Sequence, residues 1–250
     1  GFGMLWTVPI MCLLLIVVQE TAARMGCATG KGFASLIREQ FGVRISAVAM
    51  LSLIVSNFAV TLSEFAGIAS GMLLFNVPIQ VSVPVAAVAT WLLTLSGSYR
   101  RIEKILLALS AVFLTYIVSG VIAQPDWGTA LHSTIVPQWS SDPGYVSLLV
   151  ANIGTTISPY MMFMVSSNVV EKNLGERDIA GQRADNVSGA IAAEIVTWFI
   201  ILTTGTVLFP AGISVNDAAD AAKALVPLAG GYASALFAVG LVGASFLAAC

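Results

Sequence analysis

Residues 151–171 read ANIGTTISPYMMFMVSSNVVE, a stretch with the length of a membrane-spanning helix and helix-breaking chemistry at its centre. It cannot form one unbroken helix. Gly154 costs about 1 kcal/mol relative to alanine in a helix interior, and Pro159 costs about 3 kcal/mol because it lacks an N–H and its ring meets the carbonyl four residues back. Between them lie Thr155, Thr156 and Ser158, all small and hydroxylated. Unwound backbone at membrane depth finds no partner in lipid, so it is tolerated only inside protein or beside a wet cavity. That is the layout of a transporter's binding site, where half-helix ends and free carbonyls meet the cargo. A plain proline kink, its carbonyls satisfied by neighbouring hydroxyls, is the competing reading of this stretch alone.

The rest of the chain supplies the membrane context. Of 250 residues, 58% are hydrophobic and 10% charged, with a mean hydropathy of +0.92, against the roughly 25% charge of a soluble domain. These values define an integral, multi-pass protein of the cell membrane whose first partner is lipid. Runs of about 20 apolar residues, enough to span, fall at 2–18, 45–75, 77–95, 105–123, 145–169, 187–209 and 232–250. The expected fold is therefore all-α and polytopic, one membrane transport domain over 1–250. Gly1 and Cys250 both fall within apolar runs, so the sequence is expected to be a fragment of a longer protein.

Charge sets the orientation. Arg24, Lys31, Arg38 and Arg44 flank the first loop, Arg100, Arg101 and Lys104 the third, and Lys172, Arg177 and Arg183 the fifth, leaving only Lys223 for an even-numbered loop. The positive-inside rule then puts the odd loops in the cytoplasm. A net charge of −2 points to no nucleic-acid partner. Cys12, Cys27 and Cys250 form no metal spacing and read as small apolar residues. Gly26, Gly30 and Gly32 punctuate a turn after the first span, and 33–41 resumes as a short amphipathic helix. Gly30-Lys31 lacks both the upstream glycine spacing and the following hydroxyl of a phosphate loop. Residues 124–144, with Trp127, Trp139 and the lone His132, read as an outer loop with interfacial aromatics.

Within the second span, Asn57, Thr61 and Glu64 fall at i, i+4 and i+7, on one helical face. Beside them Ala59, Ser63, Gly67 and Gly71 form a stripe of small residues that lets a neighbouring helix approach closely. A carboxylate at that depth costs roughly 2.5 kcal/mol or more unless paired or hydrated, so Glu64 should face the protein interior. It reads either as a pathway residue or as a buried structural glutamate. Glu194, in the sixth span, reads as half of a buried structural pair.

Five motifs in order, LLLIVVQETAARMGCATGKG (13–32), NFAVTLSEFAGIA (57–69), SYRRIEK (98–104), NIGTTISPYMMF (152–163) and LFAVGLVGAS (236–245), resemble the natural resistance-associated macrophage protein (Nramp) family of divalent-metal transporters. The resemblance covers essentially the whole chain. It implies a leucine-transporter-like bundle of inverted repeats, incomplete here, with these spans as the family's second to eighth. It also implies a metal site where the family's first and sixth helices break, the first, with its Asp-Pro-Gly-Asn ligands, preceding Gly1. The departures are informative. The family's Gly-Ala-Thr-Ile-Met-Pro-His is similar to Gly154-Thr155-Thr156-Ile157-Ser158-Pro159-Tyr160, so Ser158 stands where the family has its metal-binding Met and Tyr160 where it has a His. Thr61 replaces an Asp of proton-coupled members, Val165 replaces the second His, and Glu64 keeps the family's Glu. These losses resemble the Nramp-related magnesium transporters, thought to move their ion without protons.

A thioether is a soft ligand that favours transition metals, whereas hydroxyl, carbonyl and retained water suit a hard cation such as Mg²⁺. Met161, Met162 and Met164 lie beyond the proline and read as packing. The expected activity is transport of a divalent cation, Mg²⁺ first and Mn²⁺ second, by alternating access without proton coupling. The cation is cargo, and no cofactor is expected. The expected metal residues are Thr155, Ser158 and Thr156, held open by Gly154, Pro159 and Tyr160, with Asn57, Thr61 and Glu64 along the path. The rivals are a proton-coupled Mn²⁺/Fe²⁺ transporter of the same family and an amino-acid transporter of the same fold. An intramembrane hydrolase is disfavoured, because no span holds a His, a Ser/Lys pair or paired Asp residues.

Overall fold

The computed structural model describes residues 2–95, 111–210 and 235–249. Its helices are α1 (Thr7–Thr29), α2 (Phe33–Leu73), α3 (Ile79–Leu95), α4 (Leu114–Ile122), α5 (Trp127–Ile135), α6 (Pro143–Thr156), α7 (Pro159–Glu171) and α8 (Ile179–Val207), followed by α9 (Ala235–Ala249). No strand occurs among the described residues. Phe2–Thr29, Phe33–Leu73, Pro143–Glu171 and Glu176–Val207 are long and apolar enough to cross a membrane, and Ile79–Leu93 and Ala235–Ala249 are shorter apolar helices. Part of the expected span 105–123, the loop with Arg100, Arg101 and Lys104, and Lys223 lie outside the described residues.

Local chemistry explains where helices stop, and in two places it departs from the sequence reading. The turn expected from Gly26 onward begins later. Gly30 ends α1 in the left-handed region (φ 63°) and donates its N–H to the Gly26 carbonyl, a role glycine fills without a Cβ penalty. Gly26 itself is helical, and a Cβ there would lie 3.0 Å from the Ser166 carbonyl oxygen and 3.1 Å from Val169 Cγ1. Its glycine serves close helix approach, not a turn. The expected short helix 33–41 is present and ends at Gly42, whose φ of 79° and ψ of 176° break α2 before its membrane-spanning part. The second departure is 124–144, which is no simple loop. Asp126 accepts the N–H groups of Gly128 (3.0 Å) and Thr129 (3.3 Å) and the Thr129 hydroxyl (2.6 Å), capping α5 as an N-terminal carboxylate does. These donors hold the exposed Asp126 carboxyl below its ordinary value of 3.8, the Thr129 hydroxyl foremost.

The chain divides into two compact units. One comprises Trp6–Phe58 and Thr134–Ile195. In it α1 packs along α7, and Ala23, Cys27 and Val169 form a core joined by Val165, Leu174 and Ile179. The Phe33 N–H donates to Ser166 Oγ at 3.0 Å, and the Phe33 and Phe163 rings meet edge-on at 5.0 Å. At the charged end of α1, Glu20 Oε1 takes Arg24 at 2.7 Å and Arg183 at 3.4 Å. Glu194, expected in a buried pair, is 5% exposed and has no ion-pair partner among the described residues.

The other unit comprises Gly1–Leu5, Ala59–Ser133 and Val196–Cys250, and it is held by glycines that admit neighbours. Gly67 and Gly71 of α2 lie against Ser245 and Val242 of α9. Gly120 of α4 lies against Phe199 and Thr203 of α8, and Gly240 of α9 against Thr115 and Tyr116 of α4. The half of the small-residue stripe at Gly67 and Gly71 thus meets α9, while Ala59 and Ser63 are exposed. Tyr116, Val207, Leu208 and Phe237 form a core, and Leu5, Ala130 and Leu202 form another. Trp127 of α5 stacks on Trp198 of α8 at 6.4 Å.

Candidate cation site

The membrane segment 143–171 is two helices. α6 ends at Thr156, Ile157 takes φ −106° and ψ 66°, Ser158 takes φ −76° and ψ 133°, and α7 starts with Pro159 at its first position. Proline is suited to a helix start, where its missing N–H is not needed. Toward α6 the same lack has a consequence. The helical partner of the Thr155 carbonyl would be the N–H of residue 159, and proline has none. Gly154 stays helical within α6, so the break falls after it, at Ile157 and Ser158.

The side chains around the break are neutral oxygens. Thr155 Oγ1 donates back into its own helix, to the carbonyls of Ala151 (3.0 Å) and Asn152 (3.1 Å). Ser158 is 6% exposed, and its side chain does not cap α7. Thr156 and Tyr160 are half-buried, while Gly154, Thr155 and Pro159 are exposed. Asn152 Nδ2 donates to Thr7 Oγ1 at 3.0 Å, anchoring α6 to α1. The Trp6 indole N–H donates to the Tyr145 hydroxyl at 3.0 Å, and that hydroxyl donates to the Gln138 carbonyl at 2.6 Å. These bonds fix the first half-helix at both its start and its centre. Sequence reasoning missed Asn152 and Thr7, whose pairing spans most of the chain.

The remaining site residues lie on α2. Asn57 belongs to the unit of the broken helix, and Thr61 and Glu64 to the other. Asn57 and Thr61 are exposed and Glu64 is half-buried. Glu64 faces α9, where it hydrogen-bonds to Ser245. Sequence reading quoted Ser245 only as part of a motif and gave it no role. Among the described residues no three His, Cys, Asp or Glu side chains converge as a metal cluster. A cavity of about 420 Å³ in the second unit is lined by groups such as Ile68, Met72, Val85 and Phe246, with Ser82 the one hydroxyl. It offers a cation almost nothing.

Among the described residues the fold is all-helical, and one membrane-length segment is interrupted by unwound, oxygen-lined backbone, a layout of the kind that leucine-transporter-like folds show. Two solved forms of the Eremococcus coleocola manganese transporter superpose with TM-scores of 0.70 and 0.69 at 20% identity, over 99% and 98% of this chain and 56% of theirs. The family model "natural resistance-associated macrophage protein-like" matches residues 1–250, and the chain belongs to that family. Among curated relatives, the divalent metal cation transporter MntH of Mesorhizobium japonicum is 28% identical over 97% of this chain and 56% of its own length. That of Ralstonia nicotianae is 29% identical over 98% of this chain and 58% of its own length. The chain thus spans somewhat over half the length of the relatives it matches.

Proposed function

We propose that the protein is a secondary transporter, not an enzyme, that moves a divalent cation across the cell membrane by alternating access, within a single transport domain. Mg²⁺ is the main cargo, Mn²⁺ a second, and protons are not coupled. The observation that carries this reading is the chemistry of the break. Pro159 leaves the Thr155 carbonyl without its helical donor, Ser158 offers a buried hydroxyl not used as a cap, and no thioether stands between them. The cation sits at the carbonyl end of α6, because the N-terminal end of α7 carries the positive pole of its dipole. Thr155 contributes its carbonyl, Ser158 its hydroxyl, and Thr156 acts directly or through water. Pro159 keeps the helix broken, Gly154 lowers the stability of the helical turn that leads into the break, and Tyr160 fills the position after the proline. Asn57, Thr61 and Glu64 line the route. Oxygen donors with room for retained water suit a hard ion that dehydrates reluctantly. Transport of a divalent metal agrees with the names that the relatives carry.

A second reading is favoured by one observation. The solved relatives are manganese transporters, and a manganese carrier of the same family would need no Mg²⁺ preference. Ser158→Met in the full-length protein separates the two. The added thioether is a ligand Mg²⁺ hardly uses, and its bulk displaces water Mg²⁺ keeps. Competition uptake in proteoliposomes should shift toward Mn²⁺ and Cd²⁺ by about tenfold, equivalent to about 1.4 kcal/mol of differential binding. An unchanged Mg²⁺/Mn²⁺ ratio would remove Ser158 from the site.

A further inference from the structure

We infer that Ser245 is a positioning residue for the Glu64 carboxylate, an inference that rests on reading Glu64 as part of the cation route. Glu64 is the sole acidic residue of α2 beyond Gly42. A carboxylate that acts on a passing cation must hold one orientation, yet in a membrane span it has few polar neighbours to fix it. Ser245, on α9, is 6% exposed and its hydroxyl bonds to that carboxylate. Donation from a hydroxyl occupies one of the carboxylate's acceptor positions and leaves the others for cation or water.

The surroundings are built to admit this contact. Gly67 lies on the same face of α2, about one turn beyond Glu64, and a Cβ there would collide with Ser245 Oγ. Glycine at 67 therefore makes the space that the hydroxyl occupies. The third party is Tyr116 of α4, 3% exposed and within electrostatic reach of the same carboxylate. Its ring is seated against Gly240 and edge-on to Phe237 at 5.3 Å, both on α9. One helix thus presents Ser245 to Glu64 directly and steadies Tyr116 through Gly240 and Phe237.

The test is Mn²⁺ uptake by the full-length protein in proteoliposomes, normalised to folded transporter, with thermal midpoints measured in parallel. Ser245→Ala should lower the uptake rate roughly ten- to hundredfold, the range expected for one lost hydrogen bond to a charged group. Ser245→Cys has nearly the same shape but a weak donor. It should fall with Ser245→Ala; recovery to the wild-type rate would mean that residue 245 only fills space and would overturn the inference. The midpoint cycle with Glu64→Ala reads the contact independently of transport. Ser245→Ala should lower the midpoint when Glu64 is present and leave it unchanged in Glu64→Ala, and equal losses in both backgrounds would overturn the contact. Absence of any divalent uptake by wild type would overturn the transport reading and this role with it, while the midpoint cycle would still decide the contact.

Discussion

A methyl group at Gly154 would meet nothing within 4 Å beyond its own helix, whereas at Gly67 it would collide with the Ser245 hydroxyl and at Gly240 it would lie 2.8 Å from Thr115 Oγ1 and Tyr116 Cζ. All three glycines sit in apolar helices; the sequence separates Gly67, in a stripe of small residues, from Gly154, close to a proline, but gives Gly240 no role of its own. Near the break, glycine lowers helix stability ahead of a proline and packs against nothing. In the α2, α4 and α9 unit, glycine lets helices approach until side chains interlock. One glycine lies in uncrowded helix ahead of a backbone break, and the others lie at tightly packed helix contacts. The alternating access proposed for this protein requires both an uncrowded and a tightly packed region.

Substitution of the crowded glycines carries the largest expected effect. Gly67→Ala and Gly240→Ala should each destabilise by about 1–3 kcal/mol, the usual cost of forcing an extra carbon into a packed site, read as a lower thermal midpoint in detergent. Gly154→Ala should be neutral or stabilising by up to about 1 kcal/mol, since alanine favours the helix and nothing obstructs it. Its uptake rate should nonetheless fall, because a stiffer α6 resists the change of backbone at Ile157 and Ser158. Equal loss of stability at Gly67 and Gly154 would erase the distinction between the two regions. Loss of stability at Gly67 alone, with full uptake retained in Gly154→Ala, would narrow the role of Gly154 to a sequence accident.

The smallest effect concerns the start of α5, in the unit of α4 and α9. Asp126 titrates below its ordinary 3.8 when folded, so its cap on α5 contributes fully above that ordinary value. The contribution is lost as pH falls through the lowered folded value. Trp127 stacks on Trp198, so tryptophan emission should report loosening of α5 in acid. In Asp126→Asn the acid-dependent part of that change should vanish, and an unaltered titration would show that another group controls it.

Proline made the break legible, since a missing N–H is covalent and no tertiary contact restores it. Its exact position was less so. Gly154, with a penalty of about 1 kcal/mol, remains helical because surrounding helix outweighs that amount, and the backbone turns only at Ile157 and Ser158. Gly26 was misread as a turn for a related reason. Glycine at a close approach and glycine at a helix stop share one letter, and only Ser166 and Val169, distant in sequence, distinguish them. The helix α5 was hidden by its polar, proline-rich neighbourhood, although Asp126 followed by Gly128 and Thr129 is a capping signal that could have been read. Glu20 with Arg24 is visible as an i, i+4 pair, but Arg183 joins it only through the fold. The partner of Glu64 on α9 belongs to the same category.

The central claim is that unwound backbone at Ile157 and Ser158 carries a hard divalent cation on oxygen donors without a proton. Mg²⁺ uptake by the wild-type, full-length protein in proteoliposomes, with Mn²⁺ as competitor and a pH-sensitive dye inside, tests it most directly. The account predicts that Mg²⁺ enters, that Mn²⁺ competes with it, and that internal pH stays constant. Exclusion of Mg²⁺ while Mn²⁺ enters, or acidification that tracks metal entry, would contradict it.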